Sequence, residues 1–176
     1  MAILFKPQSN EKITDLKEIN KFMNDRGIIF EQWEASQTLK NEDTQETVLK
    51  AYEHKLGPYM KKHSYQDADV INVHKDTPNI EALRAKFLSE HTHSEDEIRF
   101  FIDGEGMFYF HLENSKPEVF SLLCEKGDFI SVPKGYKHWF DLAPKYFVKA
   151  IRVFSNKEGW TPHYTNSGYE QTFVNQ

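Results

Sequence analysis

Two histidines one residue apart, and a glutamate four positions after the second, open an aromatic run in EHTHSEDEIRFF, Glu90 to Phe101. Imidazole nitrogen and carboxylate oxygen both bind divalent ions, so His91, His93 and Glu97 offer three donors in a short length of chain. Side chains of an extended strand alternate sides, which turns His91 and His93 the same way. Glu97 joins them if Ser94, Glu95 and Asp96 hold or regain the register. A fourth donor, His138, follows the Pro133-Lys134-Gly135 turn, where a returning strand would complete the set. Three imidazoles and a carboxylate suit Fe, Ni, Mn, Co, Cu or Zn, while the lack of sulfur disfavours a structural zinc site. The plainer alternative makes these histidines ordinary polar residues of strands.

The elements that must position these donors follow from periodicity. TDLKEINKFMNDRG, with Thr14 as cap, apolar Leu16, Ile19, Phe22 and Met23, and a stop at Gly27, predicts a helix. EDTQETVLKAYEHKLG predicts another, with Asp43 and Glu46 at capping-box spacing and an end at Gly57-Pro58. DVINVH, Asp69 to His74, alternates like a strand, and PNIEALRAKFL reads as a short helix entered through Pro78. From His91 the period becomes two. EIRFFIDGEGMFYFHLE predicts two strands around a hairpin turn at Asp103-Gly104-Glu105-Gly106. FSLLCEKGDFISVPKGYKHWFDL repeats that scheme, with turns at Lys126-Gly127-Asp128 and Pro133-Lys134-Gly135, and YFVKAIRVFS adds a strand. Short antiparallel strands with Gly/Pro turns imply a sandwich or barrel. The expectation is one domain over 1–176: helix-rich to 68, a β-sandwich core over about 69–156, and a tail over 157–176.

Composition narrows the function. A formal charge of −5 lacks the basic stripe of a nucleic-acid binder. With 39% hydrophobic residues, 14 Phe and 8 Tyr, the chain can bury a core. The lone cysteine, Cys124, excludes an intramolecular disulfide or a cysteine-built metal site, and a reducing cytoplasm fits. The apolar run in MAILFKPQSN is too short for a signal segment or a membrane span, and no other run reaches membrane length.

The spacing resembles the two cupin signatures. His91, His93, Glu97 and Gly104 fit the first, and Gly127, Pro133, Gly135 and His138 fit the second. Ala85 and Leu142 stand where cupins usually carry a glycine and an asparagine, which touches local turn geometry only. The wording EHTHSEDEIRFFIDGEGMFYFH, GDFISVPKGYKHWFDL, KAIRVF and GWTPHY is similar to the acireductone dioxygenase family of methionine salvage, over roughly Phe87 to Tyr164. That resemblance implies a mostly β, cupin-type double-stranded β-helix (jelly roll) with a helical N-terminal portion. It also implies one Fe(II) or Ni(II) per chain, held by His91, His93, Glu97 and His138 with two positions left for substrate. The implied reaction joins O₂ to the aci-reductone 1,2-dihydroxy-3-keto-5-methylthiopentene in a cytoplasmic enzyme, taken to be a monomer without nucleic-acid or membrane partners. Iron would give formate and 2-keto-4-methylthiobutyrate, and nickel would give formate, carbon monoxide and 3-methylthiopropionate.

Further site residues follow by position. Arg99 shares the parity of Glu97 and would steady ionised substrate oxygens, unless it is a surface arginine of a half-exposed strand. Arg152 matches a family pocket arginine, although on parity alone a surface arginine is an equal reading. Phe101 and Trp160 would wall the methylthio tail, or serve as plain core. Asp96 is a candidate acid or base, or a solvated loop carboxylate. His54, His63, His74, His111 and His163 lack partners at motif spacing and read as structural or surface residues, and Cys124 as a small buried one. Two rivals remain: another metal cupin, either a different dioxygenase or an isomerase, and a non-catalytic module that docks a small anion. Loss of substrate when oxygen is admitted to an anaerobic mixture of protein, iron and aci-reductone separates enzyme from module.

Overall fold

In the computed structural model, which describes residues 2–40, 42–113, 116–142 and 144–173, the chain begins with strands rather than a helix. β1 (Ile3–Lys6) and β2 (Glu11–Ile13) pair antiparallel, α1 (Leu16–Asn24) leads to β3 (Ile29–Gln32), and α2 (Gln45–His63) leads to β4 (Asp67–Val73). Then come α3 (Ile80–Leu88), β5 (His91–Thr92), β6 (Glu97–Leu112), β7 (Glu118–Glu125), β8 (Asp128–Val132), β9 (Lys137–Asp141) and β10 (Val148–Phe154). A 3-10 turn over Lys157–Trp160, β11 (His163–Tyr164) and α4 (Glu170–Phe173) follow. The segment to residue 68 therefore adds short strands to its two helices, and these strands join the sheets of the later core. Runs as short as ILFK and IFEQ show no usable periodicity.

The strands form two sheets that share β6. One runs β2-β1-β7-β6-β9-β5-β11, and the other runs β3-β8-β6-β10-β4. The first half of β6 pairs with β8 and β10, and its second half, from Glu105, pairs with β7 and β9. The sandwich they close is a cupin-type jelly roll. DGEG, expected as a hairpin turn, is instead the bend where one continuous strand passes from sheet to sheet. Gly104 has φ 74°, and a Cβ there would stand 2.1 Å from the Phe147 carbonyl oxygen. The pairing with β10 slips at Lys149/Ala150, as at a bulge. A positive-φ glycine serves a hairpin and a bulge alike, so the pattern alone could not separate them.

Alternation along β6 decides which side chains reach the interior. Ile98, Phe100 and Ile102 face outward into a cluster with Phe129, Ile151 and Val153, which α2 covers with Val48, Ala51, Tyr52 and Leu56. Glu97, Arg99 and Phe101 take the opposite face. Each covered aromatic contributes about 2 kcal/mol, which explains why α2 runs on through Gly57-Pro58 to His63. Leu56, Tyr59 and Met60 pack on that cluster and outweigh the local penalty of proline. Ser64, in the left-handed region, ends the helix by donating its N–H to Met60 O. The helix caps also shift by one residue from expectation. Asp15, not Thr14, accepts from Lys17 N and Glu18 N, and Thr44, not Asp43, accepts from Thr47 N.

Asp128 after the Gly127 turn is buried, taking hydrogen bonds from Gln32 Nε2 and Glu125 N. Burial pushes its carboxyl from 3.8 up to about 7, against the lowering effect of Gln32. Below pH 3.8 both folded and unfolded chains hold this proton. Between there and about 7 the folded state holds more, so stability drains as pH rises. Asp128→Asn, with Gln32 turned to accept from the new amide, removes this dependence. Urea unfolding should show the variant gaining roughly 2 kcal/mol on the parent between pH 5 and pH 8. An equal difference at both pH values would refute the assignment.

Candidate metal centre

His91 and His138 stand opposite each other where β5 pairs with β9. His93 lies just past β5, where its carbonyl accepts from Gly135 N at 3.0 Å in the Pro-x-Gly turn. Glu97 opens β6 and pairs with Val132 of β8 in the other sheet. One donor atom from each of the four residues falls within 4.8 Å of the others, and all four side chains are buried. The parity expected of His-x-His and the return through His138 are both realised.

The hydrogen bonds show what this cluster is built to hold. Each imidazole places Nδ1 against a backbone carbonyl: His91 on Ser89 O at 2.7 Å, His138 on Tyr136 O at 2.9 Å, His93 on Thr161 O at 3.3 Å. A neutral ring that donates from Nδ1 has only a lone pair at Nε2. Yet His138 Nε2 lies 2.8 Å, and His93 Nε2 3.2 Å, from Glu97 Oε2. In that tautomer a lone pair faces a carboxylate, an arrangement that a bound divalent cation satisfies. Burial and the neighbouring His138 drive the His91 pKa down to about 3, so that ring stays neutral as a ligand must. Burial works to raise Glu97, but Arg99 and then His138 and His93 overcome it and hold the carboxyl well below the usual carboxylate range. The four side chains form a site for a divalent metal ion.

Beside it the interior face of β6 continues into Arg99. Its Nε donates to Glu97 Oε1 at 2.6 Å, and its guanidinium lies 5.0 Å from the Phe140 ring and 5.3 Å from Trp160. Phe140 reaches this place because Gly106 has no Cβ, which would stand 2.1 Å from the ring. Arg152 is the direct cross-strand partner of Arg99, a like-charge pairing that costs stability unless each cation has a counterion. Asp69 supplies one, taking Arg152 Nε and Nη2 at 2.8 and 2.6 Å. Both arginines line a cavity of about 140 Å³ with Arg84, Phe87, Phe140 and Val148. Phe87 carries that cavity to within 5.9 Å, ring to ring, of His91.

The remaining candidates fall in distinct places. Trp160 is buried, 6.4 Å from the His93 ring and 5.4 Å from the Arg152 guanidinium. Phe101 is fully buried in the core, edge-to-face with Phe108, one layer behind the cavity lining. Asp96 accepts from Tyr65 OH at 2.7 Å and Lys134 N at 2.9 Å, which ties the turn before Glu97 to the turn before His138. Sequence reasoning passed over Arg84, held to Asp141 through two hydrogen bonds of 2.6 and 2.9 Å. It also passed over Glu90, a buried carboxylate beside the first ligand. Burial works to raise Glu90, but Thr165, Ser167 and His111 hold it below its ordinary value. A glutamate immediately before a ligand strand was the one signal for it.

Comparison with known proteins agrees. The model of the ARD/ARD′ family matches residues 5–162. An acireductone dioxygenase of Picosynechococcus sp. is 50% identical over 173 residues, spanning 98% of this chain and 97% of its own length. One from Enterobacter sp. is 45% identical over 160 residues, 91% of this chain and 87% of its own. Among solved structures, acireductone dioxygenase from Bacillus anthracis with a cadmium ion in its active center aligns with a TM-score of 0.82 at 30% identity, covering 93% of this chain and 98% of that one. Among the described residues no helix is long and apolar enough to cross a membrane.

Proposed function

The chain belongs to the acireductone dioxygenase family, and from that premise we propose that it cleaves 1,2-dihydroxy-3-keto-5-methylthiopentene with O₂ in methionine salvage. The observation that carries this reading is the buried four-donor centre, joined through Arg99 and Phe87 to a small cavity lined by arginines and apolar side chains. Fe(II) or Ni(II), one per chain, would be held by His91, His93, Glu97 and His138. Such an ion supplies Lewis acidity and a template for two adjacent substrate oxygens.

The chain's own residues define what fits there. Arg84, Arg99 and Arg152 each face a carboxylate, from Asp141, Glu97 and Asp69. The six formal charges cancel, so a divalent ion leaves the cavity positive and suited to an ionised enediol. Arg99, fixed at Nε by Glu97 and sandwiched between rings, is the group that steadies the ionised oxygens. Arg152, oriented by Asp69, adds to that field. Trp160, outside the cavity lining but 5.3 and 5.4 Å from the Arg99 and Arg152 guanidiniums, would wall the metal side of the site, and its buried Nε1–H, without a partner among the described residues, offers one polar contact there. Phe101 backs the apolar lining that receives the methylthio tail. Asp96 acts by holding the 94–97 turn, since Tyr65 and Lys134 take both its oxygens, and less as an acid or base.

All four ligands come from one chain, which suits a monomer. Ala2, Leu4, Ile19 and Met23 share a core with Phe101 and Val148, in support of a single domain. Burial raises the Cys124 thiol well above its ordinary pKa, making it inert, in keeping with a reducing cytoplasm.

The choice of ion is proposed to select the products. Fe(II) and Ni(II) both accept octahedral N/O surroundings but differ in electronic structure and bond lengths, and hence in which oxygens they chelate. Protein stripped of metal and rebuilt with each ion should release carbon monoxide with nickel and none with iron. Identical products from both would remove the metal-selection proposal, while no substrate loss with either would remove the dioxygenase reading itself.

A further inference from the structure

The strand that carries His91, with His93 just past its end, is too short to orient these two ligands by itself. β5 is two residues long and touches β9 through one residue pair, His91 with His138. Its other edge carries β11, with His163 opposite Thr92 and Tyr164 opposite His91. The residue before it, Glu90, points away from the metal by strand alternation and is almost fully buried. Its Oε1 accepts from Thr165 Oγ1 at 2.6 Å and Ser167 Oγ at 2.7 Å. Its Oε2 accepts from His111 Nδ1 at 2.7 Å, and its backbone oxygen accepts from Thr165 N at 3.1 Å. The His111 ring in turn stacks on Tyr169, with centroids 4.0 Å apart. One carboxylate thus fastens the ligand strand, β6 and the C-terminal tail at a single point.

We propose that Glu90 is a positioning residue of the metal centre, and that the tail hydroxyls of Thr165 and Ser167 act through it to fix His91 and His93. The proposal rests on the four-ligand centre alone, whatever the substrate. A buried carboxylate with both oxygens engaged tolerates little displacement, because losing a partner exposes an unsatisfied charge. That stiffness passes to His91 through the adjoining peptide, and to the Ser89 carbonyl on which the His91 ring is held.

The test measures metal binding rather than turnover. Ni(II) affinity is determined by competition with a chromophoric chelator, and the Co(II)-loaded protein is examined by visible absorption. Glu90→Ala, and separately the Thr165→Val/Ser167→Ala double variant, should bind Ni(II) about ten- to a hundredfold more weakly, with altered Co(II) bands. Glu90→Gln should stay within about threefold of the parent, because its carbonyl still accepts from the hydroxyls and its amide donates to His111 in the other tautomer. Folded variants with parental affinity and spectrum, shifted only in melting temperature, would overturn the proposal. So would a glutamine variant as impaired as the alanine one. If Glu90→Ala does not fold, the double variant decides by the same two readings.

Discussion

Glu97→Ala protein should emerge from dialysis without metal and show no aci-reductone-dependent oxygen uptake. Glu97 is the one anionic donor among three neutral rings, and its carboxylate faces both His138 and His93 at 2.8 and 3.2 Å. Its removal also leaves Arg99, buried and bonded to it at 2.6 Å, as an uncompensated cation aimed at the ion's position. Breaking a buried pair in this way costs about 4 kcal/mol of fold stability, in addition to the lost ligand. Glu97→Gln keeps the shape and an acceptor for Arg99 Nε, and should retain more fold stability than the alanine variant while still losing the metal. A stoichiometric metal content with parental turnover in either variant would exclude Glu97 from the centre.

Arg99→Met should separate binding of the ion from the chemistry. The methionine fills similar space between Phe140 and Trp160, and the ion itself offsets the charge of Glu97, so metal occupancy stays near one. What disappears is the charged hydrogen-bond donor proposed to steady the substrate oxygens, worth roughly 1.5–3 kcal/mol, and kcat/KM should fall about tenfold or more. Steady-state oxygen uptake, normalised to measured metal, gives the number. Parental kinetics would return Arg99 to a purely structural part, and lost metal would make it a support of Glu97.

The ligand set was legible because two physical regularities overlap in it. Strand alternation aligns His91 with His93, and the Gly135 turn must bring the chain back at His138. Arg99 was legible for a related reason: an arginine followed by two phenylalanines makes a poor surface strand, and α2 indeed covers the alternate residues Ile98, Phe100 and Ile102. What escaped was decided by distant packing. Pro58 ends a helix in isolation, but Leu56 and Tyr59 gain more by staying on the sheet. Asp103 to Gly106 carries turn chemistry, yet the pairing of both flanks with β10 and β7 pulls it into one bent strand. Arg84 and Glu90 gain meaning only from Asp141, Thr165 and Ser167, whose nearness no local pattern encodes.

The four ligands are divided between the sheets. His91 and His138 belong to the sheet built on β9, whereas Glu97 stands where β6 pairs with β8 in the other. An ion bound there is consequently a rivet across the sandwich, at the edge where the 93–97 and 133–136 segments cross between the layers and away from the bend of β6. The sheets cannot part at that edge without surrendering the ion. Free metal in the cell then enters the folding equilibrium directly, adding about 2.7 kcal/mol at a hundredfold excess over Kd. The lifetime of the enzyme becomes a function of metal supply as well as of sequence.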